Sequence, residues 1–296
     1  IHDSFPDHAI LAEESGELPG SGDCTWIVDP LDGTVNFWHG LPFFCVSIAC
    51  YRNGGRANEG GGHAGLPGAP VVGAVFLPFS QELFVGTPGR GAFLNGRPIR
   101  VSNDERPSDV VVTVSFGKTP EMMQRITRRL DVLLPQVRKV RCLGAVAAEL
   151  AYVAAGFLGG LVYEGIKLWD FAAGKILLEE ADGFLEAAET EPGQWRVLAG
   201  APGVRTCLMM QADAGGVKGG GEASGAGLVQ MEEHAGRSRR PRAPGEKRRL
   251  WVPEALAFKG EKGRPEGPLV FDVELIRFEA DPRKAPVDLL SPPEDG

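Results

Sequence analysis

Residues 26–37 read W-I-V-D-P-L-D-G-T-V-N-F. It opens as a short apolar strand, and Pro30 stiffens the chain where the strand ends. Asp29 and Asp32 are thereby held three positions apart on one loop, directly before a Gly-Thr pair. An Asp-Gly pair by itself is typical of an ordinary turn. The motif therefore indicates a site only if other acidic segments accompany it.

Two further acidic segments lie far from this motif in the sequence. Upstream, residues 9–15 read A-I-L-A-E-E-S, a predicted strand that ends in Glu13 and Glu14. Downstream, residues 165–174 read G-I-K-L-W-D-F-A-A-G, with Asp170 at a predicted helix start. Each segment alone is typical of surface charge at the end of a strand or helix. Their combination with the first motif is what favours a common site.

The residue types of such a site favour a hard divalent cation. Two carboxylates about 4 Å apart repel each other by about 4 kcal/mol at an effective dielectric near 20. Several of them converge only when cations balance their charge. Oxygen ligands without His or Cys favour magnesium over zinc.

Composition limits the classes of function. The chain has 296 residues, 43% of them hydrophobic, which is typical of a globular protein with a real core. A formal net charge of -8 argues against a nucleic-acid partner. We expect no membrane partner, because the only long weakly polar stretch, residues 142–162, holds Glu149 near its middle. We expect a reduced, cytoplasmic location, because the five cysteines follow no disulfide or zinc spacing. The chain begins at Ile1, so a preceding organelle-targeting segment remains open.

The pattern of apolar residues predicts mixed strands and helices. Short apolar runs predict strands at residues 9–12, 26–28, 43–50, 71–77 and 110–116. A Gly-rich loop is predicted at residues 53–69, and a buried helix followed by a strand within residues 142–162. A helix after Asp170 should end before Gly183. Another begins at the cap Thr119, with an apolar face formed by Met122, Met123, Ile126, Leu130, Leu133 and Leu134. This order indicates a layered α/β fold.

The C-terminal third has a different character. Residues 210–245 are rich in Gly and Arg and predict a disordered linker, and residues 282–296 predict a disordered tail. Between them, residues 245–258 read G-E-K-R-R-L-W-V-P-E-A-L-A-F and residues 268–276 read P-L-V-F-D-V-E-L-I. These segments look like the last strands of FKBP-type peptidyl-prolyl isomerases, which suggests a small β remnant at residues 246–281. The rest of that fold has no counterpart, so we expect no isomerase activity.

The three acidic segments together resemble the metal-site signature of the inositol monophosphatase family. Residues 89–99 (G-R-G-A-F-L-N-G-R-P-I) and 143–156 (L-G-A-V-A-A-E-L-A-Y-V-A-A-G) add to the resemblance, which covers residues 1–209. It implies an αβαβα sandwich of the sugar-phosphatase type and a homodimer. It also implies a lithium-sensitive hydrolase that removes phosphate from a small phosphorylated alcohol or sugar, inositol monophosphate first.

The resemblance also implies a role for each matching residue. Two or three Mg²⁺ ions would be bound by Glu13, Asp29, Asp32, Asp170 and the backbone carbonyl of Leu31. Glu13 and the hydroxyl of Thr34 would be catalytic, orienting and activating the attacking water. The substrate would contact Asp32, Gly33, Thr34, Gly144, Ala145, Tyr163, Glu164 and Asp170.

The sequence departs from the family pattern in ways that matter for function. The opening helices of the family, which carry an acidic partner of the activating threonine, have no counterpart before Ile1, so the activity of this chain is open. Seven positions before Asp170, where inositol-specific members carry a Glu, this chain has Tyr163 with Glu164 next to it. Histidinol phosphate and related sugar or polyol phosphates therefore stay open as substrates.

Two other functions are compatible with the same residues. A haloacid-dehalogenase-type phosphatase with an aspartyl nucleophile also has Asp followed by Asp-Gly-Thr, but that class spaces its acids two apart rather than three. A non-catalytic fragment or scaffold is the other alternative, motivated by the missing opening helices and the unusual C-terminal third.

Overall fold

The computed structural model describes residues 1–53, 65–104, 106–117 and 119–210, together with the backbone of two strands at residues 247–252 and 269–274. Two mixed β-sheets dominate residues 1–210, with helices between them and on one outer face. The predicted α/β class is confirmed.

The first sheet has eight strands. They are β1 (Ala9–Ala12), β2 (Gly16–Leu18), β3 (Cys24–Asp32), β4 (Cys45–Asn53), β5 (Gly68–Leu77), β6 (Glu82–Thr87), β7 (Gly91–Leu94) and β8 (Arg97–Ile99), in the order β2-β1-β3-β4-β5-β6-β7-β8. Only the β1–β3 pair is parallel. Because parallel neighbours end at the same edge of a sheet, the acidic residues that follow β1 lie beside the motif that ends β3.

The second sheet has five strands, and two more strands lie near the C-terminus. The sheet contains β9 (Val111–Val114), β10 (Lys139–Arg141), β11 (Gly160–Ile166), β12 (Phe184–Glu191) and β13 (Gln194–Gly200), in the order β10-β9-β11-β13-β12. Strands β14 (Lys247–Val252) and β15 (Leu269–Glu274) form an antiparallel pair. The β structure predicted within residues 246–281 is confirmed in the backbone of these two strands, while the rest of that segment and the predicted linker and tail lie outside the described residues.

Five α-helices occur in the described part of the chain: α1 (Thr34–Trp38), α2 (Pro120–Leu133), α3 (Val146–Ala154), α4 (Leu168–Glu180) and α5 (Arg205–Met209). Helices α3 and α4 pack against each other between the two sheets and supply much of the largest core cluster. Helices α2 and α5 cover the other face of the second sheet. On the outer face of the first sheet, around Trp26 and Phe76, no helix of the described residues takes part in the cluster.

Most predicted elements are confirmed, with one correction on a helix face. Thr119 caps α2, since its side chain accepts a hydrogen bond from the Met122 amide. Met123 and Leu134, however, are 47% and 56% exposed, so the predicted apolar face was too wide. The buried stripe of α2 instead includes Arg129, whose guanidinium donates to the Leu208 carbonyl at 2.6 Å.

The contact between α3 and α4 depends on Gly174. A Cβ at this position would lie 2.6 Å from both Cβ and Cδ1 of Leu150 on α3. Gly→Ala in a free helix stabilises by about 1 kcal/mol. In this fold we expect Gly174→Ala to destabilise by about 1–3 kcal/mol, because the two helices must separate.

Urea unfolding of the single and double variants tests this expectation. Adding Leu150→Ala should remove part of the penalty of Gly174→Ala, since it removes the contact with Cδ1 while the contact between the two Cβ atoms remains. A single variant as stable as the parent chain would contradict the close approach.

Candidate functional site

The motif at the end of β3 is held against the acidic segment that follows β1. The Glu13 amide donates to the Val28 carbonyl at 3.2 Å, which continues the parallel pairing by one residue. Glu13 therefore lies next to Asp29, and its carboxylate is one of the charges that raise the pKa of Asp29.

Asp170 joins the same site from α4. It is the third residue of the helix, and its carboxylate accepts a hydrogen bond from the Lys167 amide at 2.7 Å, which closes a capping box. Because α4 packs across β3 and β4, the start of this helix meets the motif loop. The charge of Asp170 raises the pKa of both Asp29 and Asp32, so residues far apart in sequence share one electrostatic site.

Asp29 and Asp32 are nearly inaccessible to solvent. They are 1% and 7% exposed, respectively. Burial, followed by repulsion from Asp32, Glu13 and Asp170, raises the pKa of Asp29 to about 9. Burial, followed by repulsion from Asp170, raises the pKa of Asp32 to about 8. The ionised forms of both groups thus lack the compensation that a nearby positive charge would provide.

Hydrogen bonds fix the orientation of these two carboxylates. Asp29 accepts from the Leu31 amide at 2.9 Å, within the irregular end of β3. Asp32 accepts from the amides of Val146 and Ala147, at 3.2 and 2.7 Å, in the first turn of α3. The start of α3 is therefore directed at Asp32, which was not predicted from the sequence.

The donor set fits a hard divalent cation. Within the described ranges, neither Asp29 nor Asp32 forms an ion pair with a Lys, Arg or His side chain. Buried anionic oxygens without a cationic side chain are costly unless a metal ion binds them. The carboxylates are the ligands that magnesium prefers.

The loop after Asp32 turns sharply into α1. Gly33 has φ +87°, a conformation that L side chains rarely adopt, and a Cβ there would lie 3.0 Å from the Ala145 Cβ. The Thr34 hydroxyl donates to the Leu31 carbonyl at 3.0 Å. The predicted metal-binding carbonyl and the predicted catalytic hydroxyl are therefore in direct contact.

The segment before α3 is tied to the motif loop by Asn36. The buried amide of Asn36 donates to the carbonyls of Phe43 and Leu143, at 2.8 and 2.7 Å. Gly144 is exposed beside this contact, whereas Ala145 is completely buried and packs near Gly33. Only Gly144 of this pair offers accessible backbone to a ligand.

Tyr163 and Glu164 point in different directions. Tyr163 is 2% exposed and its hydroxyl donates to Glu149, and burial followed by the charge of Glu149 raises the pKa of Tyr163. The Glu164 side chain is 2% exposed and pairs with Arg125 of α2 at 3.1 Å. The structure therefore directs Tyr163 to Glu149 at the start of α3 and directs Glu164 to α2.

A second group of polar side chains does not suit a metal ion. Ligand atoms of His8, Asp23 and Cys24 lie within 4.8 Å of one another. The indole N–H of Trp26 donates to Nδ1 of His8 at 3.0 Å. Because Nδ1 accepts, the proton of the neutral ring resides on Nε2, which then has no lone pair for a metal.

The family model described as the inositol monophosphatase family matches residues 1–213. The chain belongs to this family. It is 39% identical over 187 residues to "Nus factor SuhB" of Pasteurella multocida, and 38% identical over 190 residues to "Inositol monophosphatase 3" of Solanum lycopersicum. These matches cover 62% and 61% of this chain.

A solved structure of the inositol monophosphatase family shares the fold. The inositol monophosphatase of Anabaena (Nostoc) is 36% identical, with a TM-score of 0.59, and the match covers 70% of this chain and 79% of that one. The matches to the Pasteurella and Solanum relatives each span 65% of the relative's length. The matched family region ends close to residue 209, where the sequence resemblance was predicted to end.

Several residues that shape this inositol monophosphatase-type site were missed from the sequence. Asn36, Cys45, Thr113 and Glu149 all contact it through hydrogen bonds. Glu149 was the most visible of them, since it is a lone acid in a helix made of Ala, Leu, Val and Tyr.

No helix in the described part of the chain is both long and apolar enough to cross a membrane.

The raised pKa values predict how the stability of the metal-free protein depends on pH. The unfolded chain releases the protons of Asp29 and Asp32 near pH 3.8, whereas the folded chain holds them to about 9 and about 8. The folded state therefore binds more protons between these limits, so the free energy of unfolding decreases as pH rises through this window. We expect the melting temperature in EDTA to fall from pH 5 to pH 9.

Magnesium provides the matched control for this measurement. Saturating Mg²⁺ should remove much of the decrease in melting temperature with rising pH, because it stabilises the ionised carboxylates of the folded state. Equal pH profiles with and without Mg²⁺ would contradict the assignment of these acids to a cation site.

Proposed function

We propose that this chain hydrolyses a small phosphomonoester with the help of Mg²⁺, with inositol monophosphate as the first substrate to test. The observation that carries the proposal is the shared electrostatic site of Glu13, Asp29, Asp32 and Asp170, in which the two buried acids form no ion pair with a cationic side chain of the described residues. Family membership supports a phosphatase, since a relative carries that function in its name.

The proposal assigns two or three Mg²⁺ ions to a defined set of ligands. These are the carboxylates of Glu13, Asp29, Asp32 and Asp170 and the carbonyl of Leu31. When bound, the ions would supply positive charge to the phosphate oxygens and lower the pKa of a water molecule. The hydrogen bonds to Asp29 and Asp32 hold both carboxylates in place before a cation arrives.

The chain's own groups would orient the reactants. Glu13 lies at the open side of the cluster, because it is exposed while Asp29 is buried. We infer that Glu13 and the Thr34 hydroxyl hold the attacking water. The backbone N–H groups of Gly33 and Thr34, at the start of α1, would bind the phosphate oxygens.

The alcohol part of the substrate would contact another side of the pocket. Gly144 offers exposed backbone, and Tyr163, which is buried and donates to Glu149, stands where inositol-specific members carry a carboxylate. We leave Glu164 out of the proposed pocket because its carboxylate is paired with Arg125. A phenol forms weaker hydrogen bonds to polyol hydroxyls than a carboxylate does. Histidinol phosphate and other sugar or polyol phosphates therefore stay in the test.

Phosphate release by the complete chain tests the proposal. The substrates are inositol 1-phosphate, histidinol phosphate and fructose 1,6-bisphosphate, each with Mg²⁺, with EDTA and with added lithium. We expect release that requires Mg²⁺ and is inhibited by lithium. Mg²⁺ binding without release from any substrate would favour the scaffold alternative. A trapped phosphoaspartate at Asp29 would favour the haloacid-dehalogenase alternative.

The remaining assignments are part of the same proposal. We propose a cytoplasmic homodimer without a nucleic-acid partner, in which residues 1–209 form the phosphatase domain. The name "Nus factor" belongs to the SuhB relatives and is not transferred to this chain. The likeness of residues 246–281 to FKBP-type isomerases carries no activity in this proposal. The division of residues 210–296 into three segments remains a proposal as well.

A further inference from the structure

Glu149 is a buried acid that the proposed chemistry does not use. It lies in α3 and is 0% exposed. One carboxylate oxygen accepts from the amides of Gly144 and Ala145, at 2.8 and 3.3 Å, and from the Tyr163 hydroxyl. The other accepts from the Thr113 hydroxyl. Four donors thus offset the cost of burying this group.

These hydrogen bonds join two parts of the fold. Thr113 and Tyr163 belong to the neighbouring strands β9 and β11 of the second sheet. Gly144 and Ala145 form the turn that leads into α3. Glu149 therefore anchors the start of α3 to the second sheet.

The start of α3 in turn holds a proposed metal ligand. Its first two amides, of Val146 and Ala147, donate to the two carboxylate oxygens of Asp32. Asn36 ties the Leu143 carbonyl, three residues earlier than Val146, to the motif loop. The position of the Asp32 carboxylate therefore depends on where the α3 start is fixed.

We propose that Glu149 is a positioning residue, which fixes the start of α3 so that Asp32 is oriented for metal binding and Gly144 is presented to the substrate. The inference rests on the proposed function and deepens it. Glu149 touches neither substrate nor metal, and its effect passes through the backbone of residues 144–147.

This role requires a side chain at position 149 that is long enough to accept these hydrogen bonds, and it does not require a charge. In Glu149→Gln the remaining oxygen still accepts from Gly144 and Ala145, and the amide NH₂ donates to Thr113. Glu149→Ala removes the anchor altogether. Mutation of a residue that orients a metal ligand without contacting the metal typically changes metal affinity or activity by about 10–100-fold.

Magnesium affinity by calorimetry and steady-state kinetics on the complete chain form the test. We expect Glu149→Ala to bind Mg²⁺ about tenfold more weakly or worse and to lose kcat by a similar factor, whereas Glu149→Gln stays within about threefold of the parent chain. Leu133→Ala, on the buried face of α2, is the control for lost stability alone, and it should retain the parent Mg²⁺ affinity.

Each result has a defined meaning. Parent-like Mg²⁺ affinity in Glu149→Ala would overturn the inference, and so would a loss in Glu149→Gln as large as that in Glu149→Ala. If Glu149→Ala does not fold, Thr113→Val replaces it, since it removes one anchor donor, and an unchanged Mg²⁺ affinity there would equally overturn the inference. Failure of the parent chain to bind Mg²⁺ would instead reject the proposed function.

Discussion

Replacing Asp29 by Asn is expected to abolish Mg²⁺-dependent phosphate release and to raise the melting temperature of the metal-free protein. Asn has the same shape but lacks the anionic oxygen proposed to bind the metal. A loss of several kcal/mol of transition-state stabilisation corresponds to about 10³-fold or more in kcat. The stability gain follows because the substitution removes an acid whose ionised form is disfavoured by burial and then by repulsion from Asp32, Glu13 and Asp170.

The two effects of Asp29→Asn are measured separately. Phosphate release is followed with saturating Mg²⁺, and the melting temperature is measured in EDTA at pH 8. Asp131→Asn, an exposed position on α2, serves as the matched control and should change neither quantity. Activity within tenfold of the parent chain would remove Asp29 from the proposed metal ligands.

Glu13→Gln is expected to lower kcat by about 10²–10⁴-fold, the range typical of a lost general acid or base. The amide preserves the shape of the side chain but cannot take a proton from water. The neighbouring Glu14 gives an unusually close control, because Glu14→Gln makes the same chemical change one residue further along the chain. Glu13 and Glu14 are both exposed, and the charge of Glu13 reaches Asp29.

Steady-state kinetics over a range of Mg²⁺ concentrations distinguish the two roles proposed for Glu13. A loss of kcat that excess Mg²⁺ does not restore supports orientation of the water, whereas restoration by Mg²⁺ indicates a ligand role only. Equal effects of Glu13→Gln and Glu14→Gln would show that the loss reflects surface charge, and Glu13 would then leave the catalytic set.

Much of the fold was readable from local patterns. The apolar runs predicted β1, β3, β4, β5 and β9, because a short β-branched or aromatic run bounded by turn residues has few other ways to bury itself. The cap at Thr119 was correct for a similar reason, since its side-chain hydrogen bond is made within one turn. The buried face of α2 was predicted less well, because the burial of Arg129 goes with a tertiary hydrogen bond from its guanidinium to the Leu208 carbonyl.

The sequence predicted a common site for Glu13, Asp29, Asp32 and Asp170, and the structure adds that the charges of the other three act on Asp29. The prediction of a metal site rests on the ordered motifs that carried the family resemblance. The raised pKa values of Asp29 and Asp32 depend on burial by α3 and α4, which the motifs do not encode.

The sequence by itself determined which residue types are available: acids at element ends, a glycine before Thr34, and a tyrosine beside a glutamate in β11. Only the tertiary structure decided which of them meet. Asp32 and the start of α3 are more than a hundred residues apart, so no local pattern reports their contact. Tyr163 and Glu164 are adjacent, yet successive side chains of a strand point to opposite faces, and the irregular pairing of β11 follows directly after Tyr163. In the folded chain the phenol donates to Glu149, whereas the carboxylate pairs with Arg125.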